Sequence, residues 1–284
     1  MRIACFTTVY NEAYFLPVWF SYYAKALGAR NLTILDHGSN DGSLRSLRDR
    51  VSIVRLPRTG YDEQKRTDAV NAFKTVLFQY YDVVIFTDCD EFIVPDPAYY
   101  PGGLREYCKI SPPLSAPVGL QVLHVVDKER PLEDGRPILR QRRFCRFHSD
   151  YCKPLIAKEP VTWTPGFHHA DRKCEVARNV YLFHIKAADR DHALKRHRFL
   201  RSMAWSSATV AAGWGWHQRI GDEAFIDIYF EQPLEQLRRT TDVGFSFAED
   251  LTRLVSSVEE KDGYCPASFA GKVARRPRRF RDCF

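Results

Sequence analysis

Along the first third of this chain, short buried apolar runs alternate with apolar stripes at helical spacing. Residues 2–9 form a compact apolar run broken by Asn11-Glu12, the pattern of a buried first strand. Over residues 14–27, Phe15, Val18, Trp19, Tyr22, Tyr23 and Ala26 recur at helical spacing, and Gly28 stands where a capping glycine ends a helix. Residues 31–35 predict a second strand, closed by the polar turn cluster of residues 36–43. A third strand is predicted over 51–56 and a helix over 62–80. Val83-Val84-Ile85-Phe86 then reads as a strand buried on both faces. Strand and helix alternating in this way imply an α/β fold with a parallel, right-handed sheet flanked by helices.

Beyond residue 95 the pattern loosens. Pro95, Pro97, Pro101, Gly102 and Gly103 predict a turn-rich link. Strands are expected over 120–126 and 180–185, with a basic, aromatic stretch over 140–153 between them. A helix is expected over 193–212, interrupted by Gly213-Trp214-Gly215-Trp216-His217. The chain therefore divides into a regular half (1–95), a more irregular half of the same domain (96–270) and a basic tail (271–284).

The chemistry concentrates after the fourth strand, where Asp88, Asp90 and Glu91 follow one another closely. Acids at the carboxyl edge of a parallel sheet stand where open α/β folds bind ligands. In extended geometry Asp88 and Asp90 point the same way. Neighbouring carboxylates repel unless a cation neutralises them, and an oxygen-rich, open site suits Mg²⁺ or Mn²⁺ carrying a substrate's phosphates. The competing explanation is an acidic turn, since Asp favours turns.

Composition narrows the classes. With 284 residues, 45% of them hydrophobic and 13% aromatic, the chain can build a real core, which excludes disorder over most of its length. The net charge of +7 gathers at the end, in Lys272, Arg275, Arg276, Arg278, Arg279 and Arg281 beside Phe280 and Phe284. Such a tail suits a solvated terminus or peripheral contact with anionic lipid. No nucleic-acid motif accompanies it, so no specific nucleic-acid partner is expected. There is no leader-like pattern and no apolar run of roughly 20 residues. A cytoplasmic location, peripheral on the inner face of the membrane, is the expectation. The eight cysteines are scattered without a CxxC pair, which predicts free thiols and argues against a zinc site.

Four stretches resemble the GT-A fold glycosyltransferases, specifically the bacterial family 2-like enzymes. They are Thr7-Thr8-Val9-Tyr10-Asn11-Glu12, the loop Leu35-Asp36-His37-Gly38-Ser39-Asn40-Asp41-Gly42-Ser43, the metal-site variant Asp88-Cys89-Asp90-Glu91-Phe92, and a later set. That later set is Lys153-Pro154, His168 and Leu182-Phe183-His184-Ile185-Lys186, departing from the family pattern at Ala187-Ala188. The resemblance implies a GT-A-like, mostly parallel nucleotide-binding sheet and an acceptor-side second half. It also implies transfer of a sugar, with inversion, from a UDP-linked donor to a glycan or lipid-linked glycan.

In that scheme Asp90, with Asp88 directly or through water, holds a divalent metal that stabilises the diphosphate leaving group. Asp36 accepts a hydrogen bond from the base, while Thr7, Tyr10 and Glu12 frame base and ribose. Lys65, Arg66, Lys153 and Lys186 serve the donor. His168 or His184 supplies a later metal ligand, with His169 as a neighbour of equal standing, and an imidazole tilts the metal towards Mn²⁺. The acceptor's proton needs a base, for which Glu91, Asp189 and Asp191 are candidates. Trp214 and Trp216 between glycines suit a lid, whereas Trp163 and Trp205 suit either the core or a sugar platform. Asp36 and Asp41 also fit simple turn or cap roles. The alternatives are a nucleotidyltransferase that makes activated sugars, disfavoured by the lack of a glycine-rich loop after the first strand, and an inactive carbohydrate-binding protein.

Overall fold

The computed structural model describes residues 1–231, 245–258 and 263–284. The expected α/β class is what it shows. Strands β1 (Ile3–Val9), β2 (Leu32–Asp36), β3 (Ser52–Arg55) and β4 (Val83–Phe86) lie parallel in the order β3-β2-β1-β4, with helices α1 (Phe15–Leu27) and α2 (Glu63–Leu77) as crossovers. All four strands end at one edge. Helix α1 buries Phe15, Leu16, Trp19, Phe20, Tyr23 and Leu27 and stops at Gly28, whose φ of 87° suits glycine. The same helix fixes the end of β4: Trp19 Nε1 donates to Thr87 Oγ1 at 2.8 Å, and Tyr23 bonds the backbone of Glu91 and Ile93.

The acids do not extend the fourth strand. Strand β4 stops at Phe86, and the chain turns through residues 87–90, with Glu91 N–H donating to Asp88 O at 3.0 Å. It then re-enters the sheet as β5 (Glu91–Pro95), so Asp88 and Asp90 stand on a turn and not on an extended segment. The proline-rich link begins only after β5 and leads into α3 (Gly103–Ile110).

Among the described residues the second half completes one sheet of 10 strands. Strand β6 (Leu114–Leu123) is entirely buried and central. Short helix α4 (Ile138–Gln141) leads to β7 (Phe144–His148), and β8 (Ile156–Ala157) joins β4 to β6 in antiparallel pairing. Strand β9 (Glu175–His184) runs parallel to β6 and antiparallel to β5. The basic stretch over 140–153 thus contains a strand, hidden because Arg146 and His148 alternate with buried Cys145 and Phe147. Gly119 in β6 is required by close approach: a Cβ there would stand 2.4 Å from the Tyr151 backbone and 2.6 Å from that of Cys152.

The helix expected over 193–212 is two helices, α5 (Arg190–Ser202) and α6 (Ser207–Ala211). Between them the chain bonds to Tyr61: Tyr61 N–H donates to Ala204 O at 2.7 Å and Ser206 N–H to Tyr61 O at 2.8 Å. Ser206 then caps α6. Among the described residues α7 (Asp222–Tyr229) and α8 (Ala248–Val258) follow.

The basic end is folded into the sheet. Strand β10 (Ala270–Arg275) pairs antiparallel with β7, Phe280 is fully buried, and Arg276 bonds to the carbonyls of Leu139 and Arg142. Arg279 grips the buried Asp96 carboxylate through two bonds of 2.7 Å. Replacing Arg279 with Ala strands that carboxylate without its cation, so the expected cost is about 3 kcal/mol, read as a lower denaturant midpoint at unchanged slope.

Candidate functional site

The carboxyl edge of the parallel strands opens into a cavity of about 880 Å³. Tyr10 and Glu12 reach it from the end of β1, His37 from β2, Arg66 from α2, and Asp88 and Asp90 from the β4–β5 turn. The far wall comes from β7 and the segment after it (Arg146, His148, Asp150, Tyr151, Lys153) and from the end of β9 (His184, Lys186). The register of β5 against β9 sets Glu91 opposite His184, and Ile185 N–H donates to Asp90 O at 2.8 Å. Residues remote in sequence are therefore fixed beside the acidic turn by backbone pairing.

Two cations already serve the acids. Arg66 bonds to Asp88 Oδ1 and lies 3.2 Å from Glu63 Oε1, while its Nε donates to Thr8 Oγ1 at 3.1 Å. Lys153 Nζ stands 2.6 Å from Glu91 Oε1 and 3.9 Å from Asp88 Oδ2. Burial works against the charge of Lys153, but Glu91 and Asp88 outweigh it and raise its pKa. Asp90 differs: its ion-pair neighbour is His184, whose Nε2 lies 3.7 Å from Oδ2. Burial, with Asp88 adding to it, raises the Asp90 pKa.

His184 stacks on Tyr151 with ring centres 4.2 Å apart, and its buried Nδ1 has no hydrogen-bond partner. Burial pushes its pKa down to about 3, against a partial pull upward from Glu91, so the ring is neutral and able to act as a ligand. His168 donates from Nδ1 to Asp150 O at 2.6 Å, in the tautomer that leaves Nε2 as an acceptor; burial, reinforced by Lys153, lowers its pKa to about 4. Among the described residues no three acidic, histidine or cysteine side chains surround a common point. The pair best fitted to hold a divalent ion is Asp90 with His184. A cation bound by one or two protein groups leaves its other positions to water and phosphate oxygens.

Tyr10, Glu12, Lys65, Arg66, Asp88, Asp90, Lys153, His168, His184 and Lys186 line the cavity. Thr7 and Asp36 do not. Thr7 is fully buried against Cys89, while Asp36 accepts from Ser39 N–H at 2.7 Å and pairs with Arg55 at 3.1 Å, so it holds its own loop. Asp41 likewise caps a turn at Ser43. Of the base candidates, Glu91 is fully buried on Lys153. Asp189 caps α5 and lies 3.4 Å from Arg142, and Asp191 is exposed in the first turn of α5, away from the cavity wall. Trp163 is core; Trp214 and Trp216 line the mouth.

Sequence reasoning missed several wall residues. Arg196 of α5 bonds to the carbonyls of Tyr10 and Asn11 and lies 3.2 Å from Glu12, tying the helix to the tip of β1. Arg58, outside the cavity lining, braces the wall residue Tyr10 from 3.5 Å over its ring. Neither carried a signal, because a charged residue on a polar face or loop looks solvated. Tyr151 and Asp150 sat within the basic, aromatic stretch, and that stretch was their visible clue.

No protein-family model matches the chain, and no curated protein matches it. Among solved structures, mannose-1-phosphate geranyltransferase from Thermus thermophilus is similar at 9% identity and a TM-score of 0.32, over 52% of this chain and 49% of that one. Glucosyl-3-phosphoglycerate synthase from Mycobacterium tuberculosis, in complex with Mn²⁺, UDP and glucosyl-3-phosphoglycerate, is similar at 18% identity and a TM-score of 0.29, over 42% and 44%. The same enzyme with UDP gives 19%, 0.30, 45% and 47%. The match spans less than half of each of those chains. Likeness at this level leaves function to the side chains.

The depressed histidines carry a sign. Below their ordinary pKa of 6.5, His184 (about 3) and His168 (about 4) refuse protons that the unfolded chain accepts. Stability is therefore full above about pH 6.5 and is lost as pH falls towards 4. The urea midpoint is expected to drop between pH 7 and pH 5, and His184→Phe, which keeps a ring on Tyr151, should flatten that drop. A midpoint indifferent to pH contradicts it.

Proposed function

We propose that this protein is a GT-A-like, family 2-like glycosyltransferase. On this reading it moves a sugar, with inversion, from a nucleotide-sugar donor, UDP-linked by preference, to a glycan or lipid-linked glycan. The observation that carries the reading is the acidic turn at the carboxyl edge of the parallel sheet. There Asp90 and His184 stand side by side, with Lys153, Lys186 and Arg66 along the same cavity.

A divalent ion, Mn²⁺ by preference because one ligand is an imidazole, would supply Lewis-acid stabilisation of the departing diphosphate. The chain's own residues do the rest. Lys186, whose contacts are the Tyr229 hydroxyl and the ring faces of Tyr229 and Phe225, offers its ammonium to phosphate oxygens. Tyr10 and Glu12, braced by Arg58 and Arg196, set the position of base and ribose. Trp214 and Trp216 at the mouth exclude water. For the acceptor's proton the cavity offers Asp150, whose carboxylate accepts from Ser268 at 2.9 Å, and the Nε2 of His168. These take the place of Glu91 and Asp189, which are engaged elsewhere, and of Asp191, which lies outside the cavity lining.

Titration of UDP into the protein tests this reading. Binding with Mn²⁺ is expected to weaken on the order of 100-fold in EDTA or in Asp90→Asn. Binding of no nucleotide among UDP, GDP, CMP and dTDP would leave an inactive carbohydrate-binding protein.

Among the described residues no helix is long and apolar enough to cross a membrane. We place the enzyme in the cytoplasm, touching the inner membrane face through the exposed Arg275, Arg278 and Arg281. Deleting the tail would remove β10, so the clean test is Arg→Gln at those three positions. Sedimentation with anionic liposomes should fall, and unchanged sedimentation sinks the membrane contact.

A further inference from the structure

We propose that Asp88 is not a metal ligand but the anchor of the phosphate-facing Arg66, beside Lys153 on its own partner Glu91, the divalent ion being held on the protein side by Asp90 and His184. This division of labour rests on the reading above of a metal-assisted diphosphate site. Spacing in sequence makes Asp88 and Asp90 look equivalent, but their surroundings differ.

Asp88 faces the cavity but already has cationic partners. Its Oδ1 accepts from Arg66 Nη2, its Oδ2 lies 3.9 Å from Lys153 Nζ, and its own N–H donates to Glu91 Oε2 at 3.1 Å. Arg66 in turn is held by Glu63 at 3.2 Å, by Thr8 Oγ1 at 3.1 Å and over the Phe167 ring at 4.8 Å. A metal on Asp88 would have to compete with Arg66 and Lys153 for its oxygens, and displacing Arg66 would leave a partly buried guanidinium without one of its two carboxylates, which is costly.

Asp90 has none of this. Among the described residues no lysine or arginine lies within ion-pair distance of it, and its neighbour is the His184 imidazole at 3.7 Å. One ion can bridge donors that far apart. Arg66 and Lys153 are taken up by Glu63, Asp88 and Glu91, whereas Lys186 acts on Asp90 only from beyond ion-pair distance, which leaves Asp90 the carboxylate open to a cation. With Asp88 as the post of Arg66 and Glu91 as that of Lys153, the two cations present fixed positive charge to the diphosphate, preorganised and without metal.

The test reads Mn²⁺ binding by the loss of the free-ion electron paramagnetic resonance signal, with and without inorganic pyrophosphate. Asp90→Asn should weaken Mn²⁺ binding at least about ten-fold. Asp88→Asn should leave Mn²⁺ within about three-fold of wild type while weakening pyrophosphate about ten-fold or more. Arg66→Gln should also leave Mn²⁺ unchanged and weaken pyrophosphate, and it decides the matter alone if Asp88→Asn does not fold. The proposal is overturned if Asp88→Asn loses Mn²⁺ as Asp90→Asn does, or if either Asp88→Asn or Arg66→Gln leaves pyrophosphate binding unweakened. It is equally overturned if Arg66→Gln tightens Mn²⁺ about ten-fold, which would mean that Arg66 merely blocks a ligand, or if wild type takes up no Mn²⁺ even with pyrophosphate. Wild type that takes up Mn²⁺ and pyrophosphate but no nucleotide supports this assignment and defeats only the nucleotide-sugar reading.

Discussion

The buried ion pair between Lys153 and Glu91 is the constraint on which the site depends. Glu91 is fully buried and Lys153 nearly so, and their charged atoms stand 2.6 Å apart. Either charge alone would be expensive there, so the turn after β4 and the segment after β7 must meet for the chain to fold. Their meeting closes the cavity. Lys153 is drawn in beside Asp88, Tyr151 is carried onto the ring of His184, and β5 is left in place to pair with β9.

That pairing explains why the cavity combines acids from one half of the chain with histidines and lysines from the other. Glu91 lies opposite His184 in the β5–β9 register, so a one-residue slip would exchange the faces of both strands and remove His184 from Asp90. Gly119 serves the same end from β6, since any side chain there would push the Tyr151 turn outward. The wall is built from backbone pairing, and its side chains inherit positions that rigid strands define. The C-terminal strand closes the opposite side of the sheet, where Arg279 holds Asp96 just past the end of β5.

Electrostatically the cavity is divided. Around Asp88 and Glu91 charge is compensated within the protein by Arg66 and Lys153. Asp90, among the described residues, has no lysine or arginine within ion-pair distance, and Lys186 and Lys153 act on its charge from farther off. Burial keeps His184 and His168 neutral, so neither ring is stranded as a buried cation.

Much of this was legible in the sequence, for reasons that are local. The period of apolar residues located β1 to β4, α1 and α2, because a strand buried on both faces and an amphipathic helix each impose their spacing on the chain. The acid cluster after β4 was visible for the same reason: strand ends in a parallel sheet fall at a common edge. What the sequence could not show was which acid is free. Asp36, Thr7, Glu91 and Asp189 look like site residues in one dimension and are structural in three, each with partners from other segments. Strand β7, half-basic, and β10, inside a basic tail, were masked by their charge. The sequence by itself determined the α/β class and the place of the acidic turn. Only the tertiary structure decided that Arg66 takes Asp88 and Lys153 takes Glu91 while His184 stands by Asp90, because that choice depends on distances set by strand order and register, which no local pattern encodes.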